Sequence, residues 1–292
     1  MFTSSVVSYP ERGNFGNSQY RGNTTGKIII DLIDNFLPGD GFFVDPAVGG
    51  GTTIDVVNHL GIADRFAGFD LHSGFNLIRD DLTRAVGQHA DLIFFHPPYG
   101  GMIQYSGNMW GEPHNDDLSR MSEYEFEQAL KLALINISDA TKAGGHYAVL
   151  MGNQRKNGSY YNWSSLTEKL APDPLVDEVI KCQHNCVSDT RQYAKPVIRI
   201  QHEKLLIFKK SSMVNAVSSL DLALKAIDAN LMADLLVTLK RMFQCCDWSK
   251  QELFDTLEHL SKSSHFDLFG AIDYLLNSQH FLITQNGKYT LA

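Results

Sequence analysis

The chain has 292 residues, of which 43% are hydrophobic, and a formal net charge of −8. Its length suits one catalytic domain with a small second unit, and the acidic balance argues against a simple basic nucleic-acid binder. No apolar run approaches the ~20 residues of a membrane span, and residues 1–5 do not have the pattern of a signal peptide. Because the four cysteines have no framework spacing, we expect a protein of the reducing cytoplasm.

The first predicted elements are a loop and a helix. Residues 8–26 are rich in glycine and polar side chains, which is typical of a loop. In residues 27–37 the apolar side chains recur with a helical period. Thr24 and Thr25 are both candidates for the N-cap of this helix.

A glycine-rich turn follows the next strand. An apolar strand ends at Asp45, the turn Gly49-Gly50-Gly51 follows, and a helix is predicted from about Thr52 to Leu60. Glycines let a ligand approach the backbone closely, and the helix N-terminus offers free amides to a carboxylate or a phosphate. No Lys-Ser/Thr pair follows, so the turn is not a P-loop, but it is compatible with a nucleotide cofactor.

An acid ends the second predicted strand, residues 66–70. At this point of a βαβ unit a carboxylate can accept hydrogen bonds from both hydroxyls of a ribose. The distance from Asp45 to Asp70 is close to the ~20 residues expected between the glycine turn and this acid. Asp70 is therefore the predicted ribose ligand, and a plain surface acid is the alternative.

The stretch around which the chain is organised is an apolar run, residues 92–95, that stops at His96-Pro97-Pro98-Tyr99. The run predicts a strand buried on both faces of a parallel sheet. Prolines cannot donate to a sheet, so the motif must lie past the strand's carboxyl end, where open α/β sheets bind ligands. There the Pro97 carbonyl and an acceptor on His96 could hold an amino group, and Tyr99 could stack on a flat ring.

Taken in order, the arginine- and glycine-containing loop, the glycine turn, the ribose acid and the Pro-Pro-aromatic motif resemble the S-adenosylmethionine-dependent amino-methyltransferases, across about residues 18–210. That family usually has Asp, Asn or Ser where this chain has His96. The resemblance implies an α/β fold with a Rossmann-like seven-stranded sheet and S-adenosylmethionine as cofactor. It implies His96, Pro97, Pro98 and Tyr99 as catalytic residues. The implied cofactor-binding residues are Arg21, Gly22, Asn23, Thr24, Asp45, Pro46, Ala47, Gly49, Gly51, Thr52, Thr53, Asp70 and, for the adenine, Asp81 or its neighbour Asp80.

Residues 100–120 are predicted to form a long loop, and loops of this length are uncommon unless they are functional or disordered. Its aromatic side chains, which include Tyr105 and Trp110, could stack on a flipped base or fill a gap in a duplex. They could equally pin the loop to the domain.

The remaining elements of the first domain alternate. A helix with a capping box at Ser122 and Glu125 is predicted to run to about residue 142 and to end near Gly144-Gly145. A strand over 146–151, a turn over 152–158 and a helix over 163–170 follow. Strands over 177–183 and 197–209 then complete the sheet as a hairpin.

Positive charge is concentrated after the proline motif. Residues 141–210 hold 11 Lys and Arg against 6 Asp and Glu, whereas residues 1–140 hold 8 against 18. We predict phosphate contacts by Arg155, Lys156 and Arg191, and scattered solvated charge is the alternative. Cys182, His184 and Cys186 are spaced too tightly for an ordinary structural zinc site, so no metal is expected.

Residues 212–292 are predicted to form a second, mainly helical domain after a methyltransferase domain at 1–211. Helical patterns run over 214–229, 231–245, 249–261 and 265–278, and Asn286-Gly287 predicts a closing hairpin. Helices followed by a hairpin resemble a winged helix, which often binds DNA. The 6 Lys and Arg against 9 Asp and Glu in residues 211–292 speak against tight phosphate contact, so a homodimer contact is the alternative.

The resemblance implies methyl transfer to the exocyclic amino group (N6) of adenine in duplex DNA, with the base flipped out of the stack. Short gaps between the motifs leave no room for a large target-recognition insert, so we expect short or relaxed sequence specificity. Three alternatives stay open: cytosine N4 in DNA, a base amino group in RNA, and a non-catalytic cofactor-binding module in which His96 marks a decayed site.

Overall fold

A computed structural model of the chain describes residues 1–156, 158–184, 198–211, 231–261 and 267–292. The chain divides into two compact units, Met1–Ser219 and Leu220–Ala292. The predicted domain boundary, after residue 211, lies at the edge of a segment outside the described residues.

The first unit is built on a seven-stranded sheet. Its strands are β1 Val6–Ser8, β2 Phe43–Asp45, β3 Phe66–Gly68, β4 Ala90–Phe95, β5 Thr141–Gly152, β8 Leu175–Cys182 and β9 His202–Lys209. Their order across the sheet is β1-β8-β9-β5-β4-β2-β3. Strand β9 pairs antiparallel with both of its neighbours, and the other pairings are parallel. This arrangement confirms the predicted α/β class with a Rossmann-like seven-stranded sheet.

Helices cover both faces of this sheet. They are α1 Gly26–Phe36, α2 Thr52–Leu60, α3 Leu82–Val86, α4 Glu123–Ala140 and α5 Trp163–Leu170, with short 3-10 turns at Ala63–Arg65, Leu71–Ser73 and Leu118–Arg120. Thr25 is the N-cap of α1 and accepts from the Lys27 amide. The capping box of Ser122 and Glu125 is present at the start of α4.

The residues of β4 alternate between two hydrophobic cores. Ile93 and Phe95 belong to the core on the α4 and α5 face of the sheet. Leu92 and Phe94 belong to the core on the α1 and α2 face. All four side chains are buried, as the unbroken apolar run predicted. The strand therefore fixes the backbone of the motif that follows it.

Three expectations about local structure are corrected. The seventh strand comes from β1, which pairs with β8 at the sheet edge and is too short to give a sequence pattern. Helix α4 ends at Ala140, because the Thr141 amide donates to the Ser138 carbonyl and Thr141 begins β5. Residues 152–158 are more than a turn, since β6 Gln154–Lys156 and β7 Ser159–Tyr161 pair there as a hairpin.

The second unit has a core of its own. Residues 231–243 are helical, and two further helices, Lys250–Ser261 and Leu268–Leu276, precede a hairpin of Phe281–Ile283 and Tyr289–Leu291. The hairpin predicted at Asn286-Gly287 is therefore confirmed. Leu239, Leu253 and Ile272 are fully buried in this core. The pattern over 214–229 lies outside the described residues, and the winged-helix assignment stays a prediction.

A membrane span would need a longer and more apolar helix than any found in the described parts of the chain.

Candidate functional site

A cleft opens at the carboxyl ends of β2, β3 and β4, where β2 has β3 on one side and β4 on the other. Such a reversal of chain order is where open α/β sheets bind ligands. The cleft encloses about 920 Å³ of empty space, part of it open to solvent. The predicted residues that line it are Gly22, Asn23, Thr24, Asp45, Pro46, Ala47, Gly49, Thr52, Thr53, Asp70, His96, Pro98, Tyr105 and Trp110.

The glycine turn is held by the buried carboxylate of Asp45. One oxygen accepts from the Ala47 amide at 2.9 Å, and the other accepts from the Thr53 hydroxyl at 2.5 Å. Burial raises the pKa of Asp45 to about 7, although the hydrogen bonds from Thr53 and Ala47 oppose the rise. Gly49 and Gly51 have φ of +46° and +81°, and Gly51 caps α2 without a side-chain hydrogen bond. Amides at the start of α2 therefore remain available to a ligand.

Asp70 lies across from this turn. Its carboxylate accepts from the Gly49 amide and from the His72 amide, both at 2.9 Å. The Phe69 amide donates to the Asp45 carbonyl, which ties the end of β3 to the end of β2. Since a carboxylate has about four acceptor positions, Asp70 can still accept from two hydroxyl groups in the cleft.

The segment before α1 covers the glycine turn. The Thr52 hydroxyl donates to the side-chain oxygen of Asn23, and a Cβ on Gly50 would lie 2.8 Å from the Cβ of Tyr20. Thr24 is buried in the cleft, and its hydroxyl has no hydrogen-bond partner among the described residues. A buried polar atom without a partner is unusual, and a hydrogen bond to a ligand in the cleft would satisfy this hydroxyl. Arg21 is exposed and does not line the cleft.

Aromatic side chains pack in pairs beside the cleft. The rings of Tyr20 and Tyr105 stack with centroids 5.5 Å apart, and those of His72 and Trp110 lie 5.1 Å apart. Burial raises the pKa of Tyr20, and the Trp110 indole is hydrogen-bonded to its hydroxyl. The observed contacts of Tyr105 and Trp110 thus hold the loop to the domain, and their contact with a nucleic acid stays a prediction.

The loop of residues 100–120 is organised by one buried acid. Asp117 accepts hydrogen bonds from the amide and the hydroxyl of Ser106, and from the amide and the hydroxyl of Ser119, at 2.7 to 2.9 Å. All three side chains are at most 2% exposed. The long loop is therefore a folded part of the site.

The predicted adenine contact does not reach the cleft. Asp81 is exposed and caps α3 by accepting from the Arg84 amide at 2.9 Å. Asp80 accepts from the Asn76 amide, and neither acid lines the cleft. Instead, Asn76 and Asp116 line it and are joined by a 2.8 Å hydrogen bond. Sequence reasoning missed this pair because Asp116 lies in a loop with no fixed register to Asn76.

His96 lines the cleft, and a buried ion pair lies behind it. The Nε2 atom of His96 is 3.8 Å from Oε1 of Glu203. The other oxygen of Glu203 accepts from Lys181 Nζ at 2.5 Å, and the Tyr99 hydroxyl donates to Oε1 at 3.4 Å. Glu203 on β9 and Lys181 on β8 are directly opposite in the sheet register. No sequence pattern assigns either residue to the site.

These contacts set the charges of the site. Burial lowers the pKa of His96, and Lys181 lowers it further, while Glu203 acts in the opposite direction. Burial alone would raise the pKa of Glu203, but Lys181, His96 and a hydrogen bond from Gln183 outweigh burial and hold it at about 2. At neutral pH the site therefore presents a neutral imidazole beside a carboxylate.

The other residues of the motif lie around His96. Pro98 lines the cleft, whereas Pro97 is buried outside it. The Tyr99 ring packs against the core and does not line the cleft. A Cβ on Gly152 would lie 2.2 Å from the Tyr99 hydroxyl, so this glycine makes room for the tyrosine. Stacking of Tyr99 on a base stays a prediction.

Two of the three predicted phosphate ligands, Arg155 and Lys156, lie on the hairpin of β6 and β7. Arg155 and Lys156 are exposed, and the Arg155 guanidinium is 5.1 Å from the centroid of the Tyr160 ring. Lys156 Nζ lies 4.0 Å from where a Cβ on Gly101 would be, which places the hairpin beside the loop that leaves the motif. Arg191 and Cys186 lie outside the described residues.

No family model matches the chain, and no curated protein matches it. Among solved structures it is similar to TrmN from Thermus thermophilus, at 12% identity and a TM-score of 0.37, over 66% of this chain and 51% of that chain. A protein described as a DNA modification methylase, also from Thermus thermophilus and complexed with S-adenosyl-L-methionine, matches at 16% identity and a TM-score of 0.29, over 45% of this chain and 51% of that chain.

The N-methyltransferase NodS from Bradyrhizobium japonicum WM9, in complex with S-adenosyl-l-homocysteine, matches at 11% identity and a TM-score of 0.37, over 64% of this chain and 86% of that chain. The matches thus span about half the length of the first two structures. At these TM-scores the likeness decides nothing about function, which rests on the residues of the cleft.

Proposed function

We propose that this protein is an S-adenosylmethionine-dependent methyltransferase that methylates the exocyclic amino group of a nucleic-acid base, with adenine N6 in duplex DNA as the favoured target. The observation that carries the proposal is the placement of His96 and Pro98 in the same cleft as the glycine turn and Asp70. One part of the cleft thus suits a nucleotide, and another part can accept hydrogen bonds from an amino group.

The cleft fits S-adenosylmethionine in three places. The unpartnered Thr24 hydroxyl and the free amides at the start of α2 suit the amino-acid part of the cofactor. The Asp70 carboxylate suits the two ribose hydroxyls. Asn76 and Asp116, together with the half-buried apolar side chain of Ile78, line the remaining part of the cleft and suit an adenine ring.

When bound, S-adenosylmethionine supplies a methyl group on a positively charged sulfur. The neutral imidazole of His96 accepts a hydrogen bond from the amino group and directs its lone pair at the methyl carbon. The imidazole also stabilises the positive charge that develops on the nitrogen. As the nitrogen gains the methyl group it releases one proton. His96 can accept that proton and pass it to water, since its lowered pKa makes the imidazolium a ready donor.

The target has to leave the base stack, because its amino group cannot be reached inside a duplex. Arg155 and Lys156, on the hairpin beside the motif, are the proposed phosphate contacts. Adenine is favoured over cytosine by the order of the motifs. A short or relaxed target sequence is proposed, with DNA binding or homodimer contact as the role of the second unit.

Two measurements test this proposal. Isothermal titration should detect S-adenosylhomocysteine binding to the wild type, at least tenfold weaker binding to Asp70→Asn, and unchanged binding to Asp64→Asn, a control at an exposed position away from the cleft. His96→Ala should abolish methyl transfer to duplex DNA while it keeps cofactor affinity, and His89→Ala, at an exposed histidine, should change neither. Full activity in His96→Ala would overturn the assignment of the catalytic residue.

A further inference from the structure

We infer that Glu203 is a positioning residue that determines which nitrogen of His96 accepts the hydrogen bond from the substrate amino group. A neutral histidine has one N–H donor and one acceptor nitrogen. His96 can have the proposed function only if the nitrogen that meets the substrate amino group is the acceptor. That the hydrogen-bond donor is a substrate amino group rests on the proposed function. That the proton of His96 resides on one particular nitrogen does not.

The geometry of the pair favours one tautomer. A carboxylate can only accept hydrogen bonds, and the carboxylate of Glu203 faces Nε2 of His96 at 3.8 Å. A proton on Nε2 is attracted to this charge, whereas a lone pair on Nε2 would be repelled by it. The distance is longer than a hydrogen bond, but such contacts often tighten in the complex with substrate. The proton therefore resides on Nε2, and Nδ1 keeps its lone pair.

Lys181 holds Glu203 in this role. Its ammonium group bonds to Oε2 of Glu203 at 2.5 Å, while Oε1 faces His96 and Tyr99 and Gln183 donates a further hydrogen bond to this carboxylate. The charged groups that act on the pKa of His96 are Glu203 from β9 and Lys181 from β8, and the Tyr99 hydroxyl contacts the same oxygen of Glu203 that faces His96. Because Lys181 lowers the pKa of Glu203, the carboxylate stays ionised and remains an acceptor at every working pH.

A purely structural role is a poorer explanation of this ion pair. The side chains of Lys181 and Glu203 are only 11% and 7% exposed. Burying two charges is costly, and well-packed apolar residues can often replace such a pair without loss of stability. Here the pair contacts the first and the last residue of the motif, His96 and Tyr99, at the one end of the sheet where the cleft lies.

The tautomer can be measured without any activity. Nitrogen-15 spectra of the histidine side chains distinguish a protonated from an unprotonated ring nitrogen. The signal of His96 is the one that disappears in His96→Asn. The wild type at pH 7.5 should show Nε2 protonated and Nδ1 unprotonated, and Glu203→Gln should show a mixture of both tautomers. A wild type with the proton on Nδ1 would overturn the inference, whatever the enzyme does.

Kinetics then test whether the tautomer matters. An asparagine amide oxygen can accept at position 96 without a choice of tautomer, so Glu203→Gln should lower kcat about tenfold or more in the wild type and less than twofold in His96→Asn. Cofactor affinity should be the same in all four proteins. An equal loss in both backgrounds would show that Glu203 does not act through His96.

Glu203→Gln leaves Lys181 buried without its partner charge and could misfold for that reason, so a second variant serves as a control. Lys181→Gln combined with Glu203→Gln removes both charges and should show the same mixed tautomers and the same loss of kcat. If this variant kept the wild-type tautomer, the inference would fail. If the tautomer is as inferred but the wild type transfers no methyl group, only the proposed function fails.

Discussion

The hydroxyl of Thr53 donates a 2.5 Å hydrogen bond to the buried carboxylate of Asp45, and this contact joins the two ends of the glycine turn. Asp45 ends β2, and Thr53 is the second residue of α2. Both side chains are 2% exposed. The bond therefore fixes the start of α2 against the end of β2, with the glycine turn held between them.

Thr53→Val should loosen the turn, because it keeps the shape of the side chain but removes the donor. The buried carboxylate would lose a partner, which costs about 1–3 kcal/mol of unfolding free energy, and affinity for S-adenosylhomocysteine should fall with it. Denaturant unfolding and isothermal titration measure the two effects. Thr83→Val, at a partly exposed helix position, is the matched control. Unchanged cofactor affinity in Thr53→Val would show that the bond does not shape the site.

Asp45 should make stability depend on pH in an unusual direction. Burial raises its pKa to about 7 in the folded protein, whereas the unfolded chain has the ordinary value of about 3.9. The folded state therefore binds more protons than the unfolded state between about pH 4 and pH 7, and the contribution of Asp45 to stability falls as pH rises through this window.

The comparison that isolates this effect is between the wild type and Asp45→Asn. Their difference in unfolding free energy should change by on the order of 1 kcal/mol per pH unit between pH 4.5 and 6.5, with the wild type losing stability relative to the variant as pH rises. Asp40→Asn, at an exposed position, should show no such change. A pH-independent difference would mean that Asp45 titrates normally.

Asp117→Ala should release the loop of residues 100–120, because four hydrogen bonds converge on this carboxylate. Limited proteolysis should cut within the loop much faster than in the wild type, and cofactor affinity should fall because Tyr105 and Trp110 lose their positions. Glu112→Ala changes an exposed acid of the same loop and should be cut at the wild-type rate. Equal protection of Asp117→Ala would contradict this account of the loop.

Gly152→Ala should displace Tyr99. The new methyl group would lie 2.2 Å from the tyrosine hydroxyl, and overpacking of this kind costs about 1–3 kcal/mol. Methyl transfer should fall while cofactor affinity stays the same, since Gly152 does not line the cleft. Gly39→Ala adds a methyl group where no atom lies within 4 Å and should be neutral. Wild-type turnover in Gly152→Ala would show that the position of Tyr99 is unimportant.

Substitutions in the hairpin of β6 and β7 test the predicted phosphate contacts. If Arg155 and Lys156 contact phosphates, each replacement by Ala should weaken DNA binding and reduce the slope of log affinity against log salt by about 1. The control is Lys169→Ala, an exposed lysine of α5, which should leave the slope unchanged. Fluorescence anisotropy with a labelled duplex at several salt concentrations measures these slopes. Unaltered slopes in both hairpin variants would place the phosphate contacts elsewhere.

Sequence predicts this fold best where glycine, proline and acids interrupt apolar runs. Helices α2 and α5 begin and end at the predicted residues, and the motif follows β4 as expected. Strand β1 escaped prediction because three residues carry no periodicity. The family resemblance implies Asp81 or Asp80 as the adenine ligand, and only the packed structure shows that Asp81 caps α3.

The pair of Lys181 and Glu203 could not be found from sequence for a different reason. Each stands among other charged residues of its strand, Asp177 and Glu178 in β8 and Lys204 and Lys209 in β9, so no sequence pattern singles it out. Their contact depends on the register of β8 against β9, in which the two residues lie directly opposite each other. Register is determined by packing on both faces of the sheet, which a single sequence does not reveal. The residues that set the charges of the site therefore lie outside the proline motif from which the sequence predicts the site.

The central claim is that the cleft transfers a methyl group from S-adenosylmethionine to a base amino group. The most direct test is to incubate the protein with tritiated S-adenosylmethionine and duplex DNA, and then to separate the nucleosides. Tritium is expected in N6-methyladenine with the wild type, and none is expected with His96→Ala. No label in any base of DNA or RNA, from a protein that binds S-adenosylhomocysteine, would contradict it.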